Sequence, residues 1–313
     1  MIDPQGLRAL VGVAQHGSVA AAATALGYTP SAVSQQVKRL EGELGDALLE
    51  RRGRGVLLTE RGRVVAHEGR ALLDAMQQLV AGGTGAGAAS APVRIASFST
   101  ATRGLVGPAV QAMRRAAADA GPGASAPLDL RVSSVDPFEA VVLVDRGDVD
   151  LAIVHDWDSV PLVVPEGLVR EPVCRDEADV VLWADHPLAT GPAVDRHALV
   201  DEAWGSTPRG AICHEALLRL FTDLGRVPRI VAEDPDFASL TALAASRVAV
   251  CLVPRLGRVP LPEGTVALPL ADRSQVRQVS VVTRAARAGS PAIRAVVDAL
   301  RVAAADAPGA RAA

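Results

Sequence analysis

The chain has almost no lysine: Lys38 is the only one among 32 basic residues, a bias that points to a GC-rich coding sequence. The scarcity removes lysine-centred chemistry. A Schiff-base lysine is not expected, and a Walker A phosphate loop has no lysine to use beyond Lys38. Cysteine is scarce too. Cys174, Cys213 and Cys251 are odd in number and widely spaced, with no C-x-x-C pair, so reduced, buried thiols are expected. The chain has no eighteen-residue apolar run, and its start lacks a basic segment followed by an apolar one. Neither membrane spanning nor secretion is expected, and the expected location is the cytoplasm. A net charge of −3 excludes a global polycation, so any affinity for nucleic acid has to come from local arginine clusters. Catalytic signatures are missing as well: there is no G-x-S-x-G, no H-E-x-x-H, and the six histidines lack ligand spacing. Cys213 and His214 are adjacent in sequence, a poor geometry for a nucleophile and its base. No enzyme activity, cofactor or metal site is expected.

What is present begins at Gly17–Leu44, which reads as two helices around a punctuated turn. Ser18 is placed to cap the first, with Val19, Ala22, Ala23 and Leu26 on one face. Gly27 supplies a left-handed C-terminal residue. Thr29 caps the second helix and Pro30 takes its first position, where a missing N–H costs nothing. Val33, Val37, Leu40 and Leu44 form the second helix's buried stripe. Ser31, Ser34, Gln35 and Lys38 repeat along its opposite side. Short hydrogen-bonding groups followed by a cation suit base edges and phosphates, although a polar face can also simply meet water. Upstream, Leu7, Leu10, Val11 and Ala14 predict a third helix that completes a small core. Downstream, Leu48–Leu58 predicts two short strands around a turn at Gly53–Gly55, with Arg51, Arg52 and Arg54 at the tip. After a recognition helix, such a hairpin suits a wing on phosphates or a minor groove.

The stretch from Gly17 to Gly62 resembles the winged helix-turn-helix of LysR-type transcriptional regulators. The match is carried by the small-residue helix after Gly17–Ser18, the Ser31–Val37 segment, Leu40–Glu41, Leu44–Gly45, Leu48–Arg51 and Leu58–Gly62. The family often has glutamine second in the recognition helix and an arginine further on; here Pro30 and Gln35 take those places, so no base preference is carried over. The resemblance makes 1–58 the DNA-binding domain, with Ser18, Thr29, Pro30, Ser31, Ser34, Gln35, Lys38, Arg51, Arg52 and Arg54 as its candidate contacts. It also makes 59–81 a helix that dimerises, in keeping with the heptad-like spacing of Val65, Gly69, Leu72, Met76 and Leu79. Packing on its own domain would give that helix the same stripe. Residues 82–92, glycine- and alanine-rich, read as a hinge.

From Val93 the rhythm changes to apolar strands alternating with helices, which predicts parallel βαβ units and a covered sheet. This half resembles the effector-binding domain of the same family, similar to type II periplasmic solute-binding proteins. DVVLWADHPLA and DFASLTALAASRVAVCLVPRL carry that likeness. The expected fold is therefore α+β and multidomain: a winged head, a linker helix and a two-lobed α/β effector domain at 93–303. Crossovers near Val160–Leu168 and Val266–Leu270 would make lobe I 93–160 plus 272–303 and lobe II 169–265, with 304–313 a disordered tail.

A ligand is expected between the lobes, where strand ends and helix starts converge. The candidates are Ser97, Ser99, Thr100, Ser133, Ser134 and His155 on one side and Ser206, Thr207, Arg209 and Phe237 on the other. Four have a plainer reading: Ser99 as a cap, His155 as a structural histidine, Arg209 as a surface cation, and Asp236–Phe237 as a helix cap with a core anchor. The expected partners are operator DNA in an inverted repeat, a small-molecule effector of anionic character, a second copy in a homodimer or homotetramer, and RNA polymerase. No membrane partner is expected. The competing reading is a cytosolic small-molecule-binding protein, or a hydrolase-like enzyme, with a vestigial head.

Overall fold

The computed structural model describes residues 2–52, 55–81, 92–119, 128–272, 275–307 and 309–312. The chain forms two compact units, Met1–Ala88 and Ala89–Ala313.

In the first unit, α1 (Pro4–His16), α2 (Val19–Leu26) and α3 (Pro30–Leu44) precede a hairpin of β1 (Leu49–Arg52) and β2 (Gly55–Leu58), then α4 (Glu60–Ala81). The caps stand where the sequence places them. The Ser18 and Thr29 hydroxyl oxygens accept from the Ala21 and Ala32 amides at 3.1 and 3.2 Å. Gly27 adopts φ 70°, which lets the chain turn between α2 and α3. Leu7, Leu10, Ala22, Val33, Val37, Leu40 and Leu48 share one core, each leucine or valine contributing about 2 kcal/mol. Ala9 and Val13 join them, whereas Ala14 is exposed, because α1 buries a face turned slightly from the one its spacing suggests. Thr59 caps α4 by accepting from the Gly62 amide at 2.9 Å.

The second unit runs β3 (Val93–Ser97), α5 (Ser99–Ala101), a π-helical turn at Thr102–Val106, α6 (Gly107–Asp119), β4 (Leu130–Ser134), α7 (Pro137–Arg146) and β5 (Leu151–Trp157). It continues with β6 (Leu168–Trp183), β7 (Ala203–Ser206), α8 (Ile212–Leu220), β8 (Arg229–Glu233), α9 (Phe237–Ala245) and β9 (Val250–Pro254). β10 (Thr265–Leu268), β11 (Gln275–Arg284), α10 (Pro291–Asp306) and β12 (Ala310–Ala312) complete it. One sheet runs in the order β4-β3-β5-β11-β6-β9-β7-β8, with β10 and β12 also on β6. It is mixed rather than purely parallel. β3 pairs in parallel with β4 and β5, and β7 with β8 and β9, while β6 and β11 are antiparallel to their neighbours. The inner strand β5 is buried on both faces, with Ala152 and Val154 in one core and Leu151 and Ile153 in the other, whereas the edge strands β4 and β8 are largely exposed.

The long strands β6 and β11 join the lobes. β6 pairs with β11 from Leu168 to Ala178, then with β9 and β10 from Ala178 to Trp183. The lobes therefore change over further along both strands than Val160–Leu168 and Val266–Leu270, and the expected boundaries at 169 and 272 move accordingly. The part of β6 before Ala178 escapes sequence reading because it is rich in charge; Arg170, Glu171 and Glu177 are paired with Asp156, Arg294 and Arg255. A tail disordered from 304 is also corrected. α10 extends to Asp306, and 310–312 add to β6 through backbone bonds that need no apolar pattern, with Arg311 3.1 Å from Glu177. Most of the expected hinge, 82–91, lies outside the described residues. No single helix among the described residues is long and apolar enough to cross a membrane.

Candidate functional site

On α3 the buried stripe of Val33, Val37 and Leu40 turns Ser31, Ser34, Gln35 and Lys38 outward, and all four are exposed. Pro30 and Thr29 at the helix start are exposed too, as is Arg51 on β1; Ser18 at the start of α2 is half-buried. The side chain of Arg52 and all of Arg54 lie outside the described residues. α4 divides its stripe. Gly69 lies against α1, where an added Cβ would meet the Leu7 side chain at 2.8 Å, and Val65 packs on the head's core. Leu72 and Met76 are bare, 50% and 39% exposed, so the same helix serves its own domain first and then offers an unpaired apolar stripe.

In the second unit a cavity of about 510 Å³ opens between the lobes. Ser99, Ser134 and His155 line it from lobe I, and Thr207, Arg209 and Phe237 from lobe II. Four other expected residues do not line it. Ser97 is buried with its hydroxyl on the Phe98 carbonyl, and the Ser133 hydroxyl donates to the Ile95 carbonyl. Thr100 accepts from Arg277 at 2.8 Å, and Ser206 is 3.2 Å from His214 Nδ1. Ser97, Thr100 and Ser206 point into the packed layers, because residues along a strand or helix start alternate between faces, while Ser133 is exposed away from the cavity. Phe237 is both core anchor and wall, and Asp236 caps α9.

The wall also holds groups that sequence reading missed. Arg277, on β11, has no solvent exposure. Its Nε and Nη2 reach Asp176 at 2.8 Å each, and Nη2 also donates to Thr100. Its guanidinium lies 4.9 Å from the Phe98 ring centre. Its Nη1 is buried without a partner, as are His155 Nδ1 and Thr207 Oγ1. Burial holds the His155 pKa well below its ordinary value, with the Arg277 and Arg170 cations acting the same way, so the ring is neutral. Its Nε2 is 3.7 Å from Cys213 Sγ. Burial pushes the Cys213 thiol up to about 11, which leaves it protonated and a weak nucleophile.

Asp136 ties the lobes together. Its Oδ1 accepts from the Phe138 amide at the start of α7, and its Oδ2 from the Ile212 amide of α8 at 3.1 Å. Ala211, which precedes α8, has no side-chain oxygen to do this, so lobe I caps a helix of lobe II. Burial raises the Asp136 pKa despite these bonds. Among the described residues no group of three or more His, Cys, Asp or Glu could hold a metal.

Residues 4–63 match the model of the bacterial regulatory helix-turn-helix protein of the lysR family, and 86–305 match that of the LysR substrate binding domain. The chain belongs to the LysR family. It is a transcriptional regulator with a DNA-binding head and a substrate-binding domain, in a family of regulators rather than enzymes. LysR-type regulators bind operator DNA and small-molecule effectors and form oligomers. The chain is 32% identical over 285 residues to the small neutral protease regulatory protein of Streptomyces lividans, covering 91% of this chain and 79% of that one. Its fold is similar to that of a full-length OxyR variant from Pseudomonas aeruginosa, with a TM-score of 0.69 at 20% identity over 96% of this chain and 98% of that one. Full-length BenM gives 0.59 at 21% identity, covering 97% of each chain.

Proposed function

We propose that this LysR-family regulator reads an inverted-repeat operator through α3 and the β1–β2 wing of two copies, joined along α4 as a homodimer or within a homotetramer, and that an effector between the lobes controls it. The effector reading is carried by one observation. The cavity is walled from both lobes, by Ser99, Ser134 and His155 on one side and Thr207, Arg209 and Phe237 on the other. A cleft lined by both polar and apolar side chains of two lobes favours a small-molecule occupant. An occupant that touches both lobes shifts their arrangement by its difference in affinity for each, and the shift passes to operator affinity or to RNA polymerase contact.

For DNA, Ser31, Ser34 and Gln35 are the base-edge readers, Lys38 and Arg51 the phosphate contacts, with Ser18, Thr29 and Pro30 setting the approach of α3. Arg52 and Arg54 extend the wing's positive charge. The test of effector control screens small molecules against the full-length protein by thermal shift. Each hit is then titrated into operator DNA complexes. A compound that stabilises the protein is expected to change operator affinity about 5- to 150-fold, and to lose both effects in a His155→Phe variant that fills the cavity. Hits that stabilise the protein through this cavity yet leave DNA affinity unchanged would contradict effector control.

A further inference from the structure

Two charged side chains of lobe I reach the two lobe II helices, α8 and α9, that start at the cleft. Asp136 is the first. Its two oxygens take the Phe138 amide of α7 and the Ile212 amide of α8, so helix starts from opposite lobes meet on one carboxylate. Each helix start carries a partial positive charge, and without the carboxylate the two would face each other unscreened. Arg103, in the π-helical turn, is the second. Its Nη1 donates at 3.2 Å to Asp236 Oδ1, the same oxygen that caps α9. Its Nε donates at 2.9 Å to the Gly257 carbonyl, in the loop after β9. That loop lies hard against the turn. A Cβ on Gly257 would stand 2.1 Å from the Thr100 carbonyl oxygen, and one on Gly104 2.8 Å from the Gly257 amide nitrogen. Backbone meets backbone there as at a pivot, which only glycines allow. Asp136 lines the cavity, and Asp236 lies in the chain between Pro235 and Phe237, which line it too. Parting the lobes at the cleft therefore breaks both contacts.

We infer that Asp136 and Arg103 act as one latch that holds the lobes together at the starts of α8 and α9. Each is a positioning residue, which sets where lobe II stands against lobe I. Because both span the same gap, losing one loosens the other. The inference deepens the effector reading above and rests on it for its consequence at the operator. An occupant that rearranges the lobes works against the latch, so a weakened latch shifts operator affinity without one.

The test is hydrogen–deuterium exchange of the full-length protein carrying Asp136→Ala or Arg103→Ala, together with binding to DNA from upstream of its own gene. Asp136→Ala is expected to speed exchange about tenfold or more at the start of α8. It should also speed exchange at the start of α9 and around Gly257, which Asp136 does not bond. Arg103→Ala is expected to speed exchange at the start of α8 in return. Asp136→Asn, which keeps one of the two oxygens and no charge, should fall between. Should an alanine variant fail to fold, Asp136→Asn and Arg103→Lys carry the same comparison. Exchange that quickens only where each side chain bonds would make the two contacts separate caps and overturn the latch. Both variants should also shift DNA affinity in the same direction, by about fivefold or more. Coupled exchange with unchanged DNA affinity would leave the latch in place and contradict control of the head by the lobes.

Discussion

In the DNA-binding head the ion pairs face water: Arg39–Asp3 and Arg61–Asp46 join side chains 72% and 31%, and 51% and 52%, exposed. In the effector unit charge runs through the interior. Arg277 and Asp176 are both wholly buried, and Arg196, 6% exposed, holds Asp272 and Asp223. The head is held by an apolar core that ion pairs only decorate, and surface pairs of that kind contribute about 0–1 kcal/mol. In the effector unit a buried charge that loses its partner becomes a liability. The difference follows from the tasks. The head has one face to present, whereas the substrate-binding domain closes a large mixed sheet whose distant strands are tied together by charge.

Four measurements break or sharpen that contrast, and all three tryptophans (Trp157, Trp183, Trp204) lie in the effector unit, so their fluorescence reports its unfolding alone. The largest effect is expected from Asp176→Ala, which strands the Arg277 charge and should cost the effector unit about 3–5 kcal/mol in urea denaturation. A loss below about 1 kcal/mol would place that pair on the same footing as the exposed ones in the head. Leu40→Ala should cost the head about 3 kcal/mol by circular dichroism while the tryptophan transition stays in place; a shift of both would mean the units do not unfold independently. Gln35→Ala should relax base preference at one operator position by about 1–3 kcal/mol, and an equal loss on all sequences would make Gln35 a phosphate contact only.

The smallest effect comes with acid. Burial pushes the Asp150 and Asp179 carboxyls up, but hydrogen bonds from Arg94, and from Arg255 and Arg258, outweigh it and hold both below the ordinary value. Carboxyls with a lowered pKa add stability that is fully present above their unfolded value of about 3.9 and is lost as pH falls through the folded value. The tryptophan transition should therefore weaken below about pH 4 before the helical signal of the head does. The reverse order would contradict the contrast.

The head was legible because its determinants are local. Ser18, Gly27, Thr29 and Pro30 act within a few residues of themselves, and the stripe from Val33 to Leu40 turns the same side of α3 inward that its spacing requires. In the effector unit the strand and helix order was legible, and so was the general place of the cleft. Arg277 was not, because it sits in an ordinary-looking strand and its partners Asp176 and Thr100 are 101 and 177 residues away. Nothing near Asp136 in sequence announces that it caps α8, 76 residues on. Among the serines and threonines at strand ends, spacing alone did not separate Thr207, which faces the cavity, from Ser206, which turns to His214. Only pairing between distant segments makes that distinction.

The exposed face of α3 is proposed to read sequence. It is tested most directly by fluorescence anisotropy of the full-length protein on DNA from upstream of its own gene, against scrambled DNA, over a range of salt concentrations. Tight binding that prefers the upstream DNA and survives moderate salt is predicted. Binding that is equal on both DNAs and lost with salt, or no binding at low salt, would contradict it.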